Sequence, residues 1–193
     1  MAELLPLFGF VFFGLFSPGP NVILITASGA RFGLRKSLPH LFGIVAGVGI
    51  TAGITGFGIG ALLAAQPVLE LVLKTCASLW ILWMAFKLWN ADPAQRTGRD
   101  RPFTLIEAVL FQWINPKVWA VAFSATAYVA HFAPAQQAVT LGATFAVLNL
   151  CVCSFWATAG SLLSYVLTNA AVWTIFMRVM AVALAVFSLL VFL

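Results

Sequence analysis

The sequence is poor in charge. Only 8% of its 193 residues are Asp, Glu, Lys or Arg, five of them acidic, while 63% are hydrophobic. Mean hydropathy is +1.06. A soluble domain of this length has too little interior to hide that much apolar surface, and a disordered chain needs the opposite composition; the solvent must be lipid. Cysteine is scarce too. Cys76, Cys151 and Cys153 all lie in apolar runs, which argues against a disulfide framework and for thiols that pack. His40 and His131 lie at opposite ends of apolar segments, read as interfacial, and share no metal-ligand spacing with cysteine or carboxylate. The start, MAELLP, carries Glu3 and no basic n-region, so a retained first segment is expected rather than a cleaved signal. Long polar stretches are missing as well; the longest, NADPAQRTGRDRP at 90–102, is too short for a soluble domain. The expectation is one integral membrane domain over 1–193, with no metal and no cofactor.

What the sequence does have is six apolar segments near the roughly 20 residues that span a bilayer. They are Leu4–Ser28, Leu38–Ala65, Val68–Trp89, Phe103–Ala130, Ala135–Leu167 and Val172–Leu193. Arg31, Arg35 and Lys36 follow the first; Lys87, Arg96, Arg99 and Arg101 follow the third; Arg178 lies near the start of the sixth. Six crossings bring these three regions to one side, which the positive-inside rule makes cytoplasmic, with both termini outward. The net charge of +5 then reads as topology rather than affinity for nucleic acid, and the basic loops also suit anionic lipid. Only 15 residues follow Arg178, so it either snorkels or marks a segment that does not fully cross. Lys74 has Glu70 four residues before it, a surface pair.

Two of the segments are broken. In LFSPGPNVILI (15–25), Pro18 and Pro20 each lack an N–H and clash with the carbonyl four residues back. Read as a helix start, Ser17 is the N-cap and Pro18 the first helical residue, giving half-helices Leu4–Phe16 and Pro18–Ser28. Thirteen residues rise about 20 Å, which puts the break at depth. FQWINPKVW repeats the device, with Asn115 as N-cap and Pro116 as first helical residue, 98 residues after Ser17-Pro18. A weaker echo sets Gly49, Gly53, Gly56 and Gly60 against Asn149, Cys153, Trp156 and Gly160, each offset by 100.

The chain therefore reads as all-α, with six transmembrane helices in two inverted three-helix repeats, the first helix broken in each. The repeats are about 1–90 and 103–193, joined by a cytoplasmic loop at about 91–102. Paired interruptions in inverted halves point to a transport site, because irregular backbone at depth is tolerated only beside protein or a water-filled cavity. Each restart presents unpaired N–H groups and a positive dipole end, suited to a carboxylate or phosphate. The plainer reading is two kinks that serve packing; the matching of cap and proline in both halves favours transport.

The candidate site comprises Ser17, Pro18, Gly19, Pro20, Asn21, Asn115, Pro116, Lys117 and Asn149. Lys117 is the only basic residue central to an apolar segment; it either adds a cation beside the helix start or snorkels and caps carbonyls. Asn21 and Asn149 either face a cavity or bridge helices. Glu107 reads as an interfacial partner for Arg101 or Lys87, and the second-segment glycines as close helix packing.

SPGPNVILITASGARFG, the Gly-rich second segment and FQWINPKVWAVAFS together resemble the LysE/RhtB-type amino-acid exporters, over essentially the whole chain. That resemblance implies a multi-pass secondary transporter of the bacterial inner membrane that exports amino acids or close derivatives. By position, Ser17, Pro18, Gly19, Pro20 and Asn21 match the first motif and Asn115, Pro116 and Lys117 the second. The family's lysine and arginine exporters tend to carry an acid in the second segment, where FGIVAGVGITAGITGFGIG has none. The pattern is closer to the branch for neutral amino acids, and VLFQWINPKVW is similar to the cysteine/O-acetylserine exporters. The partners implied are an amino acid and membrane lipid; a homodimer through the glycine face is compatible with the pattern. Two other classes stay open. An intramembrane enzyme or thiol-redox carrier needs a cysteine at each break, where Ser17 and Asn115 stand, or a Ser/His pair, for which Ser17 and His40 differ in depth. An accessory subunit of a larger complex needs no matched breaks.

Overall fold

Among the described residues, four helices begin on a proline (Pro20, Pro67, Pro116 and Pro134), the position at which a missing N–H costs nothing. The computed structural model describes residues 4–17, 19–58, 67–90, 101–163 and 169–190. Among these residues there is no strand. The helices are α1 (Leu5–Phe16), α2 (Pro20–Phe32), α3 (Leu34–Gly56), α4 (Pro67–Trp89), α5 (Leu105–Trp113), α6 (Pro116–Ala125), α7 (Pro134–Leu163) and α8 (Ala170–Leu190); a 3₁₀ turn, Thr126–Val129, follows α6.

The first break falls two residues later than the sequence reading has it. Gly19, not Ser17, precedes the second half-helix, in extended conformation (φ −175°, ψ 178°), and Pro20, not Pro18, is the first helical residue. The reason is local. Gly19 precedes a proline, which disfavours the helical region, so Gly19 cannot be the second residue of a helix begun at Pro18. Ser17 instead closes α1: its N–H donates to Phe13 O (3.1 Å) and its hydroxyl to Gly14 O (3.0 Å). The axes of α1 and α2 differ by 57°. Pro18 itself lies outside the described residues.

The second break falls where expected, between Trp113 and Pro116, with Asn115 extended (φ −87°, ψ 101°). α5 is started by a capping box: Glu107 N–H donates to Thr104 Oγ1 (3.2 Å) and Thr104 N–H to Glu107 Oε2 (2.8 Å). The same carboxylate takes two hydrogen bonds from Arg101, at 2.8 and 3.1 Å, as the interfacial reading anticipates. Those bonds and the opposite charge raise the Arg101 pKa above its ordinary value.

α3 and α7 form the central pair, and small residues allow their backbones to approach. A Cβ on Gly49 would stand 3.1 Å from the Ala146 methyl, and one on Gly53 3.3 Å from the Ala138 carbonyl. α2 lies along α7, where Gly29 and Gly160 each face the other helix's backbone so closely that any side chain would collide with it. α5 packs on α3 at Gly43 and Gly47. Gly43, Gly47, Gly49, Gly53 and Gly56 are thus packing residues, as expected; Gly58, in a turn at φ 92°, faces open space, and Gly60 lies outside the described residues. α4 and α8 form a second pair against α2, around Ile81, Met84 and Leu184, with Arg178 stacked 5.1 Å from the Trp89 ring. Because α3 starts at Leu34, earlier than the expected Leu38, His40 lies within the packed part of the helix, buried and stacked on Phe103 at 4.9 Å. His131 is exposed.

The outside is as apolar as the core: Phe13 is 71% exposed, Val68 78% and Val139 72%. That is the surface of a protein solvated by lipid. Among the described residues, α3 and α7, of 23 and 30 residues, are long and apolar enough to cross a membrane, and bent α1–α2 makes a third if counted as one span. α4 matches α3 in length, and α5 and α6 are 9 and 10 residues. The fold is an all-helical membrane protein. The side chains of Glu70, Lys74 and Cys76 lie outside the described residues.

Candidate functional site

The two breaks, about a hundred residues apart in sequence, meet in space. Lys117, the second residue of α6, reaches across to the first break. Its ammonium donates to the Ser17 carbonyl and, at 2.9 Å, to Ser17 Oγ. The carbonyls ending α1 carry the negative end of the helix dipole, so a cation belongs there. Lys117 therefore caps the carbonyl end of α1, one of the two roles the sequence leaves open. Gly19 makes room for it: a Cβ at 19 would stand 2.7 Å from Lys117 Cδ and 2.9 Å from Nζ.

A second bridge lies deeper. Asn21, one residue into α2, donates from Nδ2 to Gln112 Oε1 at 2.8 Å. Gln112 is fully buried in the last turn of α5 and anchors itself through Nε2 to Ala108 O (2.9 Å). Asn115 Nδ2 turns back to the same Gln112 Oε1 at 3.4 Å. Asn115 keeps the N-cap position expected of it, but its side chain does not cap α6. With Nδ2 turned to Gln112, one turn earlier, the amide is not oriented to cap: Oδ1, the atom that would accept from the first-turn N–H groups of α6, makes no hydrogen bond.

From α7, Asn149 completes the group, 2% exposed, accepting from Cys153 Sγ through Oδ1 at 3.5 Å. Gly19, Asn21, Asn115, Lys117 and Asn149 line one cavity, closed by Leu15, Val22 and Val118. Its volume is about 10 Å³, room for roughly one water. Three amide atoms buried there make no hydrogen bond within the protein: Asn21 Oδ1, Asn115 Oδ1 and Asn149 Nδ2. Each such group costs about 1–3 kcal/mol when left without a partner. Two acceptors, one donor and an ammonium thus converge on one small space.

Of the expected residues, Pro20 and Pro116 set the helix starts that aim this group and Ser17 stands at the rim as the Lys117 acceptor. Sequence reasoning missed Gln112. Its signal was present: an amide inside an apolar run, three residues before Asn115 and so on the same helical face. Cys151 and Cys153 are free thiols, the first exposed and the second buried.

The arrangement can be set beside known proteins. The chain is 30% identical to a cysteine/O-acetylserine efflux protein of Klebsiella pneumoniae, over 76% of either chain. It is 26% identical to a leucine efflux protein of the same organism, over 79% of this chain and 76% of that one. Against a cysteine/O-acetylserine efflux protein of Salmonella typhimurium the identity is 25%, again over 76% of each. No solved structure matches. The family description "LysE type translocator" matches residues 12–193, both breaks included. The chain belongs to the LysE type translocator family.

Proposed function

We propose that this chain exports neutral amino acids, or small derivatives of them, across the bacterial inner membrane. In this reading it crosses six times as two inverted halves, 1–90 and 103–193, and the substrate binds where the breaks meet. The observation that carries the reading is the set of unpartnered amide atoms around the Lys117 ammonium. The Asn21 and Asn115 oxygens would accept from a substrate ammonium. Lys117 and Asn149 Nδ2 would donate to its carboxylate. Among the described residues no acid lines the cavity, which disfavours a second positive charge on the substrate. Relatives named for efflux of cysteine, O-acetylserine and leucine agree with that preference.

A space of about 10 Å³ cannot hold an amino acid, so binding requires the halves to part. The bonds joining them there are Lys117 to Ser17 and Asn21 to Gln112. A substrate carboxylate can replace Ser17 as the partner of Lys117, and a substrate ammonium can satisfy the amide oxygens as the halves separate. The ligand thereby stabilises the open form through interactions that the closed form cannot make, which is what a population shift requires. Part of the packing supports two halves: exchanging them maps the α3–α7 and α4–α8 pairs onto themselves, and the packing of α1 and α2 on α7 onto that of α5 and α6 on α3, while the packing of α2 on α3 has no counterpart of like extent between α6 and α7. The family supports a transporter rather than an enzyme.

Efflux from preloaded vesicles, normalised to inserted protein, tests the reading. Cysteine, serine or leucine should leave at least tenfold faster than lysine, and Lys117→Met should abolish the difference from empty vesicles. Lysine export as fast as that of the neutral amino acids would overturn it.

A further inference from the structure

A second and larger cavity, about 160 Å³, lies between α2 and α4, away from the breaks. Three cations from three separate elements line it: Arg31 in the last turn of α2, Lys87 in the last turn of α4, and Arg101 just before α5. Two are held by rings that also line the space: Arg31 stands 5.1 Å from the centroid of Phe32, and Lys87 5.2 Å from that of Trp83. Arg101 is fixed by Glu107. Away from this basic rim the walls are hydrocarbon, from Leu24, Met84, Leu88 and Phe103. The volume matches that of engineered apolar cavities of about 150 Å³ that take up benzene, enough for a short stretch of acyl chain.

We infer that this cavity binds an anionic phospholipid, its phosphate at Arg31, Lys87 and Arg101 and the head of one acyl chain among the apolar residues. A small neutral zwitterion carries an ammonium that three cations repel; an anion that carries hydrocarbon gains from both the cations and the oily wall. The positive-inside rule alone explains basic residues scattered over the loops. It does not explain three of them around one apolar cavity between helices, which is the form that cytoplasmic-side lipid-headgroup sites take. The inference is independent of where the amino acid binds.

The test uses the full chain purified in detergent, probed by native mass spectrometry with phosphatidylglycerol, phosphatidylcholine or inorganic phosphate added. Phosphatidylglycerol should remain bound at least tenfold more than phosphatidylcholine. The double variant Arg31→Gln/Lys87→Gln should lose that preference. Arg35→Gln/Lys36→Gln, equal in charge and outside the cavity, should keep it. Ala27→Phe, which fills the cavity and leaves every charge in place, should also lose phosphatidylglycerol, so a folding failure of the charge variant does not decide the matter. Equal retention of the two lipids, or equal loss in both charge pairs, would overturn the inference. So would displacement of the lipid by inorganic phosphate at matched concentration, because the acyl chain would then contribute nothing.

Discussion

Replacing Gly19 by alanine should loosen the junction between the two breaks without removing a charged group. The backbone at Gly19 is extended, at φ −175°, and alanine adopts that conformation freely. The three atoms nearest the added methyl all belong to Lys117: it would stand 2.7, 2.9 and 3.3 Å from Lys117 Cδ, Nζ and Cε, against carbon contacts that are optimal near 3.5–4.0 Å. Lys117 must move by several tenths of an ångström and give up its bonds to Ser17. A hydrogen bond to a charged group contributes about 1.5–3 kcal/mol. At about 2 kcal/mol, the ratio of closed to open forms falls roughly 30-fold. Cys153 reports it. Its thiol is buried and bonded to Asn149 on the cavity wall. In a Cys76→Ala/Cys151→Ala background, a membrane-permeant maleimide should therefore alkylate Cys153 about 30 times faster when Gly19 is alanine. An unchanged alkylation rate with an unchanged melting temperature would refute the reasoning, because Lys117 would then be no restraint on opening.

Other outcomes follow from the same geometry. Gln112→Leu removes the acceptor of both Asn21 and Asn115 and should lower the melting temperature by several degrees, at about 1–3 kcal/mol per amide left without a partner; wild-type thermal stability would contradict the bridge. Pro18→Ala/Pro20→Ala restores two N–H groups, lets the helix run through, and should abolish efflux at normal insertion. Glu107→Gln keeps a neutral capping box and removes the charge from the ion pair with the exposed Arg101, so stability should change by less than about 1 kcal/mol. A reporter fused within 94–100 should read cytoplasmic and one after Leu193 external; a cytoplasmic reading at Leu193 would remove the case for inverted halves.

The breaks are legible because proline acts locally. Pro116 needs only its own missing N–H to end α5 and start α6, and the sequence says so without help. The first break is legible in kind but lies two residues from its expected place. The rule that moves it, the constraint of Pro20 on Gly19, is in the letters, but Ser17 beside Pro18 offers a competing cap. What the sequence hides is tertiary. Whether Lys117 faces a ligand or a carbonyl depends on the approach of α1 to α6, and Gln112 becomes a hub only once α2 lies beside α5. His40 shows the same limit: hydropathy finds its segment, but the burial of the imidazole against Phe103 arises only from the packing of α3 on the chain that leads into α5. Asn21, Asn115 and Asn149 stand out in the sequence as polar groups in oil, and the fold brings all three to one cavity.

The reciprocal contact of Gly29 and Gly160 has a mechanical consequence. α2 and α7 touch there backbone to backbone, with no side chain between them to compress or rearrange, so the point suits a fulcrum more than a sliding surface. Asn21 lies eight residues along α2 from Gly29, a lever arm of about 12 Å at 1.5 Å per residue. A roll of about 15°, the scale of known subunit rotations, moves the far end by about 3 Å. That is the length of one hydrogen bond, enough to take Asn21 off Gln112 while the glycine contact barely shifts. A side chain at either glycine would thus cost this protein its bearing, even where the cavity itself kept every residue.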